Sequence, residues 1–313
     1  MNIKGFEGKR VVVLMGGASA EREISLRSGA AVTQALTSHG LDVVALDLPK
    51  NTAMWFELIQ HSQADVAFIT LHGTYGEDGC IQGLLETMQM PYTGSDVSAS
   101  ALCMNKKLTK CVLDDIGIRT PEDVLMRDGK PQHYPVFVKP VAEGSSVGLH
   151  YIEDEAVWDA LALVELNNWL VEQCVRGVEV AVSVVDGKAL TPVEVAPKSG
   201  MYDFASKYTA GATDYYCPAR ISSSQSNKCK HIAEQAVQAA GCTGAPRVDL
   251  IVPDIGAPVV LEINTIPGMT ATSLLPKAAA EQGVSFEDLC AQILMSAHCR
   301  GKSRGEKKCG GVQ

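Results

Sequence analysis

The chain has 313 residues, 46% hydrophobic and 20% charged, with a net charge of −9. That length exceeds one simple core and predicts two or three domains. The acidic balance argues against a nucleic-acid surface, which needs a basic face, yet leaves room for a local basic pocket. Ten cysteines with no C-x-x-C and no Cys/His metal spacing read as reduced, cytosolic thiols rather than a disulfide framework. No run approaches the ~20 apolar residues of a membrane span. The apolar run from Val11 to Met15 is too short for a signal peptide.

In chain order, residues 9–15 read as a buried strand. Gly16-Gly-Ala-Ser19 then turns into a helix over about 20–38, ended near Gly40. Strands follow at 42–48 and 64–71, with a helix near 52–61 between them. This β-α-β-α-β order predicts a parallel sheet. Residues 96–116 read as one long helical stretch closed by Gly117, and the first domain is expected to end near residue 100. Beyond it come a strand at 134–139, a Gly-rich loop, a strand to Ile152 and a helix over 153–164. Three short strands, 169–174, 179–185 and 189–195, predict an antiparallel sheet. A long polar loop, 197–218, precedes a helix at 223–240, a β-hairpin, and helices near 272–281 and 285–297. The tail from Arg300 carries five Lys/Arg and is expected to be disordered.

The hairpin is the stretch around which the chain is organised. Arg247-Val-Asp-Leu-Ile-Val252 and Val259-Val-Leu-Glu-Ile-Asn264 flank a link of turn composition. Symmetric pairing sets Asp249 opposite Glu262 and Arg247 opposite Asn264, on one face, with Leu261 and Ile263 on the other. Facing carboxylates repel unless a positive charge lies between them. With an amide oxygen beside them they suit Mg²⁺, a hard ion held by one or two carboxylates plus phosphate oxygens. A surface hairpin with solvated acids is the alternative.

Four other stretches carry chemistry. Gly16-Gly-Ala-Ser-Ala-Glu-Arg-Glu23 opens a helix, where an anion is welcome but the dinucleotide fingerprint is missing. Its Glu21 either complements the helix dipole or receives a substrate ammonium. Leu71-His-Gly-Thr-Tyr-Gly-Glu-Asp-Gly79 lies past a strand's carboxyl end, where open parallel sheets bind ligands. His72 there is a substrate contact or a structural histidine in equal measure. Lys139 ends a strand, its ammonium expected to face the loop Glu143-Gly-Ser-Ser-Val-Gly148. That loop is a phosphate nest or an ordinary turn. Lys106 is a further phosphate candidate. Glu172 and Glu179 flank Gly177 and could accept from ribose hydroxyls or an exocyclic amine. Tyr202-Asp-Phe-Ala-Ser-Lys-Tyr208 lies in a loop long enough to be a lid.

Taken together, these motifs resemble the D-alanine–D-alanine ligases of the ATP-grasp superfamily from about residue 10 to 298. The N-terminal stretch, the Lys207-Tyr208 pair and Pro267-Gly-Met-Thr270 with Ser273-Leu274 are the most specific. The resemblance implies an N-terminal parallel, Rossmann-like α/β domain (1–100) and a two-part ATP-grasp fold with antiparallel sheets (101–178 and 179–299), ahead of the basic tail (300–313). It implies that ATP phosphorylates one D-alanine and the amine of a second attacks the acyl phosphate, for peptidoglycan precursors. By the same resemblance Asp249, Glu262 and Asn264 hold two Mg²⁺ ions, with Mn²⁺ an admissible substitute. Lys106, Lys139 and Lys207 meet phosphates, and Glu172 and Glu179 meet adenine and ribose. Glu21 and Ser145 hold the first substrate, with His72 alongside. Arg247 and the Gly268 N–H form an oxyanion hole. Ser273 and Leu274 bind the second D-alanine, and Tyr208 closes the lid. The partners implied are ATP and D-alanine, with neither nucleic acid nor membrane, in a cytoplasmic homodimer.

The sequence departs from the family pattern at Pro246, at Gln173-Cys174 where a Lys-aromatic pair is common, and at Asn105 where Asp often precedes the lysine. Two other readings stand beside this one. A related ligase could use D-lactate, D-serine or another acceptor. A catalytically silent nucleotide-binding protein would have lost Arg247 or one of the three metal ligands, and all four are present.

Overall fold

The computed structural model describes residues 5–144, 147–161, 168–198 and 211–299. Ser145, Lys207, Tyr208 and the tail 300–313 lie outside them. The chain opens with β1 (Arg10–Gly16), whose Val11 to Leu14 are all buried. That is what a parallel strand covered on both faces requires. α1 (Arg22–Ser38), β2 (Asp42–Leu48), α2 (Trp55–His61) and β3 (Val66–Ile69) complete a parallel sheet in the order β2-β1-β3. The glycine-rich turn after β1 and the loop after β3 therefore emerge at the same edge, above the carboxyl ends of the strands.

α3 (Cys80–Thr87), α4 (Val97–Met104) and α5 (Lys106–Asp115) follow. The single long helix expected over 96–116 is two helices. Asn105 is extended between them (φ −90°, ψ 99°), and its Oδ1 accepts from the N–H of Leu108 at 3.2 Å. An Asn side chain competes for backbone donors in this way and favours an N-cap over a helix interior. The break makes Lys106 the first residue of α5.

A small antiparallel sheet comes next. After the two-residue strands β4 (Met126–Arg127) and β5 (Lys130–Pro131) come β6 (Val136–Pro140), β7 (His150–Ile152), α6 (Glu155–Ala160) and β8 (Trp169–Gln173), paired β7-β6-β8. The larger sheet is built from β9 (Val178–Val185), β10 (Lys188–Ala189), β11 (Val193–Pro197), β12 (Thr213–Tyr216), β13 (Arg247–Val252) and β14 (Val259–Asn264). Its order is β12-β11-β9-β13-β14, with β10 paired to β9. α7 (Ser223–Ala239) precedes β13, and α8 (Leu274–Glu281) and α9 (Phe286–Met295) follow β14. Three expectations are corrected here. The strand at 169–173 belongs to the small sheet, not with its sequence neighbours. The strand expected over 189–195 is two pieces, separated at Pro192, which has no N–H to give a ladder. The loop 197–218 contains β12, which pairs with β11.

The large sheet sits between two cores. Along β9, Ala181 and Val185 pack with α8, α9 and α1, while Val180, Val182 and Val184 pack beneath α7. This is the two-residue period of a strand. The first core also takes in Val11 and Val13 of β1, so the parallel and antiparallel sheets share it. Two polar seams fix them further. Thr243 donates its hydroxyl to the Gly94 carbonyl (2.8 Å), and Ser28 Oγ accepts from the Met269 N–H (3.2 Å).

Gly244 occupies the first seam with φ +78°, and a Cβ there would lie 2.9 Å from the Cα of Gly94. Both the backbone conformation and the close approach exclude a side chain. Gly244→Ala is expected to cost about 2 kcal/mol or more, read as a lower urea midpoint. An unchanged midpoint would mean that the seam yields.

Candidate active site

The hairpin pairs Arg247 with Asn264 and Asp249 with Glu262, as symmetric folding requires. The register then shifts, and Leu250 pairs with Val260. Leu261 is the extra residue of a β-bulge, a feature that re-aims side chains. Instead of facing away from Glu262, Leu261 lines the same cleft. Neither acid stands alone. The Arg247 guanidinium grips Asp249 with two bonds of 2.7 Å. The Lys106 ammonium lies 3.5 Å from Glu262 and donates to the Glu143 carbonyl at 2.6 Å. Asn264 Oδ1 accepts from the N–H of Ile266 (3.0 Å), which leaves a second lone pair on that oxygen.

Of these, Lys106, Glu143, Asp249 and Glu262 line a cleft of about 690 Å³ between the two antiparallel sheets. Lys139, Glu143 and Glu172 line it from the small sheet, and Glu179, Asp249 and Glu262 from the large one. Residues 173–178 cross between the sheets at its edge. Gly177 is needed there, since a Cβ would lie 2.3 Å from the Val252 carbonyl oxygen. Lys139 lines the cleft together with Glu143 and Val147 of the glycine-rich loop, and it also pairs with Glu172. The register explains it. Phe137 pairs with Glu172 and Lys139 with Leu170, so Lys139 and Glu172 are diagonal neighbours on one face. Their ion pair is 2.6 Å long. The other oxygen of Glu172, itself buried, accepts from the Lys110 ammonium at 2.8 Å.

A smaller recess of about 260 Å³ adjoins the cleft, sharing Glu143 and Val147 with it. Ser19 and Glu21 at the start of α1 form one wall, and Gly73, Thr74 and Tyr75 another. Gly73 has φ +65°, and a Cβ there would sit 3.2 Å from Glu21 Oε2. His72 and Glu77 are buried beside it. Glu77 accepts from the Gly73 N–H at 2.7 Å through one oxygen; its other oxygen, and Nε2 of His72, have no hydrogen-bond partner among the described residues. Burial, reinforced by the charges of Glu21 and Glu262, pushes the Glu77 carboxyl up to about 8, against the Gly73 N–H and Arg247. Burial lowers His72 despite the opposing pull of Glu21. Two polar groups buried next to Gly73 are thus neutral near pH 7, with Glu21 on the recess wall.

The turn after β14 closes the far side. Ser273 Oγ accepts from the Thr270 N–H (3.1 Å) and lies 2.8 Å from the Thr270 hydroxyl. A Cβ on Gly268 would sit 2.9 Å from it. Ser273 is the N-cap of α8. Leu274 buries its side chain in the shared core, so the part of it that remains for a ligand is the backbone N–H of the helix's first turn. Two residues that the sequence reading left unassigned belong to this arrangement. Glu77 lay inside a motif read as a loop. Lys110 is four residues from Lys106, and that spacing alone puts both ammoniums on one face of α5.

Comparison with known proteins gives a consistent family. The model for the D-ala D-ala ligase N-terminus matches residues 10–63 and 50–95, and that for the D-ala D-ala ligase C-terminus matches 116–295. A D-alanine–D-alanine ligase of Anaeromyxobacter sp. (strain Fw109-5) is 46% identical over 303 residues, 93% of this chain and 97% of that one. The crystal structure of the D-alanine–D-alanine ligase of Bacillus anthracis superposes with a TM-score of 0.78 at 30% identity, covering 92% of this chain and 97% of that one. Its complex with ATP superposes with a TM-score of 0.76 at 28% identity, with the same coverage.

The Glu77 environment makes a pH-dependent claim. A carboxyl raised from 4.5 to about 8 in the fold keeps a proton that the unfolded chain releases, so its stabilisation is lost as pH rises between those values. Glu77→Gln, isosteric with the protonated form, is expected to lose less thermal stability than the wild type between pH 5.5 and 8. Parallel losses in the two proteins would assign the effect elsewhere.

Proposed function

The chain belongs to the D-alanine–D-alanine ligase family, and we propose that its cleft and recess divide the work of that ATP-dependent ligation between them. ATP lies in the cleft. Glu179 takes the ribose hydroxyls, and Glu172 stands at the base with a lone pair to spare on each oxygen. Lys106 and Lys139, with Lys207 from the loop, neutralise phosphate oxygens. Asp249, Glu262 and Asn264 are the metal ligands. Their donor set fits Mg²⁺: two carboxylates and an amide oxygen, all hard, with phosphate oxygens needed to complete an octahedron. Two such ions, or Mn²⁺ in their place, would supply charge neutralisation at the transferring phosphoryl group.

The first D-alanine fits the recess. Its ammonium goes to Glu21 and Ser145, with neutral His72 and Glu77 beneath. Its carboxylate then points toward the cleft, past Glu143, in line with the terminal phosphate. Carboxylate oxygen attacks phosphorus, ADP leaves, and an acyl phosphate forms. The second D-alanine is held by its carboxylate on the Ser273 hydroxyl and the Leu274 N–H, where a helix start favours an anion. Its amine, deprotonated, attacks the acyl carbon. Arg247 and the Gly268 N–H receive the charge that develops on the carbonyl oxygen, and collapse of the adduct expels phosphate. Tyr208 closes over the site and keeps water from the acyl phosphate.

The observation that carries this reading is the pair of facing carboxylates, each already matched by a cation, on the wall of the cleft. We read the enzyme as a cytoplasmic homodimer feeding peptidoglycan synthesis. The family's activity supports that role, and the nine described cysteines, all unbridged, fit a reducing compartment. Among the described residues no helix is long and apolar enough to cross a membrane.

The test is product identification. With ATP, Mg²⁺ and D-alanine the protein is expected to release ADP, phosphate and D-alanyl-D-alanine. Glu262→Gln should lower kcat by about two orders of magnitude or more with little change in melting temperature. Wild-type turnover in that variant would remove Glu262 from the metal site.

A further inference from the structure

Lys110 does not line the cleft, yet it is bound to Glu172 in the cleft's wall. Its ammonium donates to the Pro121 carbonyl (2.6 Å), to Glu172 (2.8 Å) and to the Asp123 carboxylate. The side chain is only 13% exposed. Burial alone would lower its pKa, but Glu172 and Asp123 outweigh burial and raise it, so Lys110 is charged. The segment that carries two of its acceptors runs beside β8. Gln173 N–H donates to the Glu122 carbonyl and Val124 N–H to the Val171 carbonyl, both at 2.9 Å, with Asp123 bridged to Glu172 between them.

We propose that Lys110 is a positioning residue for ATP: by sharing Glu172 with Lys139, it weakens the carboxylate's hold on Lys139 and frees that ammonium for the phosphates. The inference rests on the reading of the cleft as the nucleotide site. Glu172 touches two cations, one on each oxygen, and Lys139 is the one that lines the cleft. Without Lys110, a buried carboxylate would have Lys139 as its one cationic partner. Breaking that last pair leaves an uncompensated buried charge, which is strongly unfavourable. Lys139 would then stay on Glu172, and an arriving triphosphate would have to pull it away. With Lys110 in place Glu172 remains compensated when Lys139 turns to the nucleotide. Asp123 balances the count, so Lys139, Glu172, Lys110 and Asp123 together are neutral before ATP arrives.

Sequence spacing gives α5 a wider part in this. Lys106 and Lys110 lie one turn apart on it. The first reaches Glu262 of the large sheet and the second Glu172 of the small one. One short helix thus sets the charge of both cleft walls.

The experiment is a two-by-two comparison of the wild type, Lys110→Gln, Glu172→Gln and the double variant. Gln at 110 keeps a donor for the Pro121 carbonyl and removes the charge; Lys110→Met is the second variant should Gln fail to fold. Mg·ATP affinity is read by titration calorimetry, and the KM for D-alanine by phosphate release. Lys110→Gln is expected to weaken Mg·ATP about tenfold while the KM for D-alanine stays within about twofold. In the Glu172→Gln background, where no carboxylate detains Lys139, the same substitution should change affinity by less than about threefold. An equal loss in both backgrounds, or no loss in either, overturns the proposal. A loss that raises the KM for D-alanine equally marks a general structural defect and overturns it too. A wild type that binds no Mg·ATP sinks the nucleotide site itself, and that outcome is distinct from the others.

Discussion

Two carboxylates face each other across the β13–β14 hairpin, and neither could remain there ionised without a cation. Arg247 grips Asp249 through both of its oxygens, and Lys106 approaches Glu262 from another element. The rest of the site follows from that demand. Arg247 can serve Asp249 because both lie on the same face of one strand, two residues apart. Lys106 can reach Glu262 only because the chain breaks at Asn105 and starts a fresh helix there. The bulge after Asp249 keeps Glu262 directly opposite it while turning Leu261 into the same cleft. Because each acid is held by a charge rather than buried in apolar packing, it can be transferred to another cation without leaving an orphan. That is the state the proposed metal-binding reading requires of the pair.

The same logic separates the recess from the cleft. In the cleft, acids and bases lie in ion pairs: Lys106 with Glu262, Lys139 with Glu172 and Arg247 with Asp249. In the recess, Glu77 and His72 are buried, and burial holds both near neutrality. Glu21 forms part of the recess wall just before α1, where the proposed reading puts the substrate ammonium. The two regions meet at Glu143 and Val147. A zwitterion spanning that junction would place its cationic end in the neutral recess beside Glu21 and its anionic end toward the lysines.

Much of this was legible in the sequence, and the reason is local. Strand alternation puts Arg247, Asp249, Glu262 and Asn264 on one face, and a short turn fixes their register, so four positions suffice to derive the pairing. The parallel sheet was legible for the same kind of reason, since apolar runs between helical stretches leave few topologies. What escaped depends on a single side chain overriding a pattern, or on partners far apart in the chain. Residues 96–116 are periodic enough for one helix, and Asn105 breaks it by capping the next. Thr213–Tyr216 is polar enough to pass for loop, and it becomes a strand because the edge of β11 is there to receive it. Lys139 meets Glu172 because β6 and β8 pair in a register that no local rule supplies.

The two missed residues share a cause. Glu77 sits in a motif that gives it no role and Lys110 in none; each matters through the environment that burial creates around it. Residues that touch substrate must present a particular atom at a particular spacing, and spacing is visible in a sequence. A residue that sets the charge state of another is constrained by net charge and by reach, which many sequences can satisfy. Lys110 reaches Glu172 across 62 positions of chain. Only the fold brings them together, so the electrostatic support of the site appears when the two sheets are seen packed, not before.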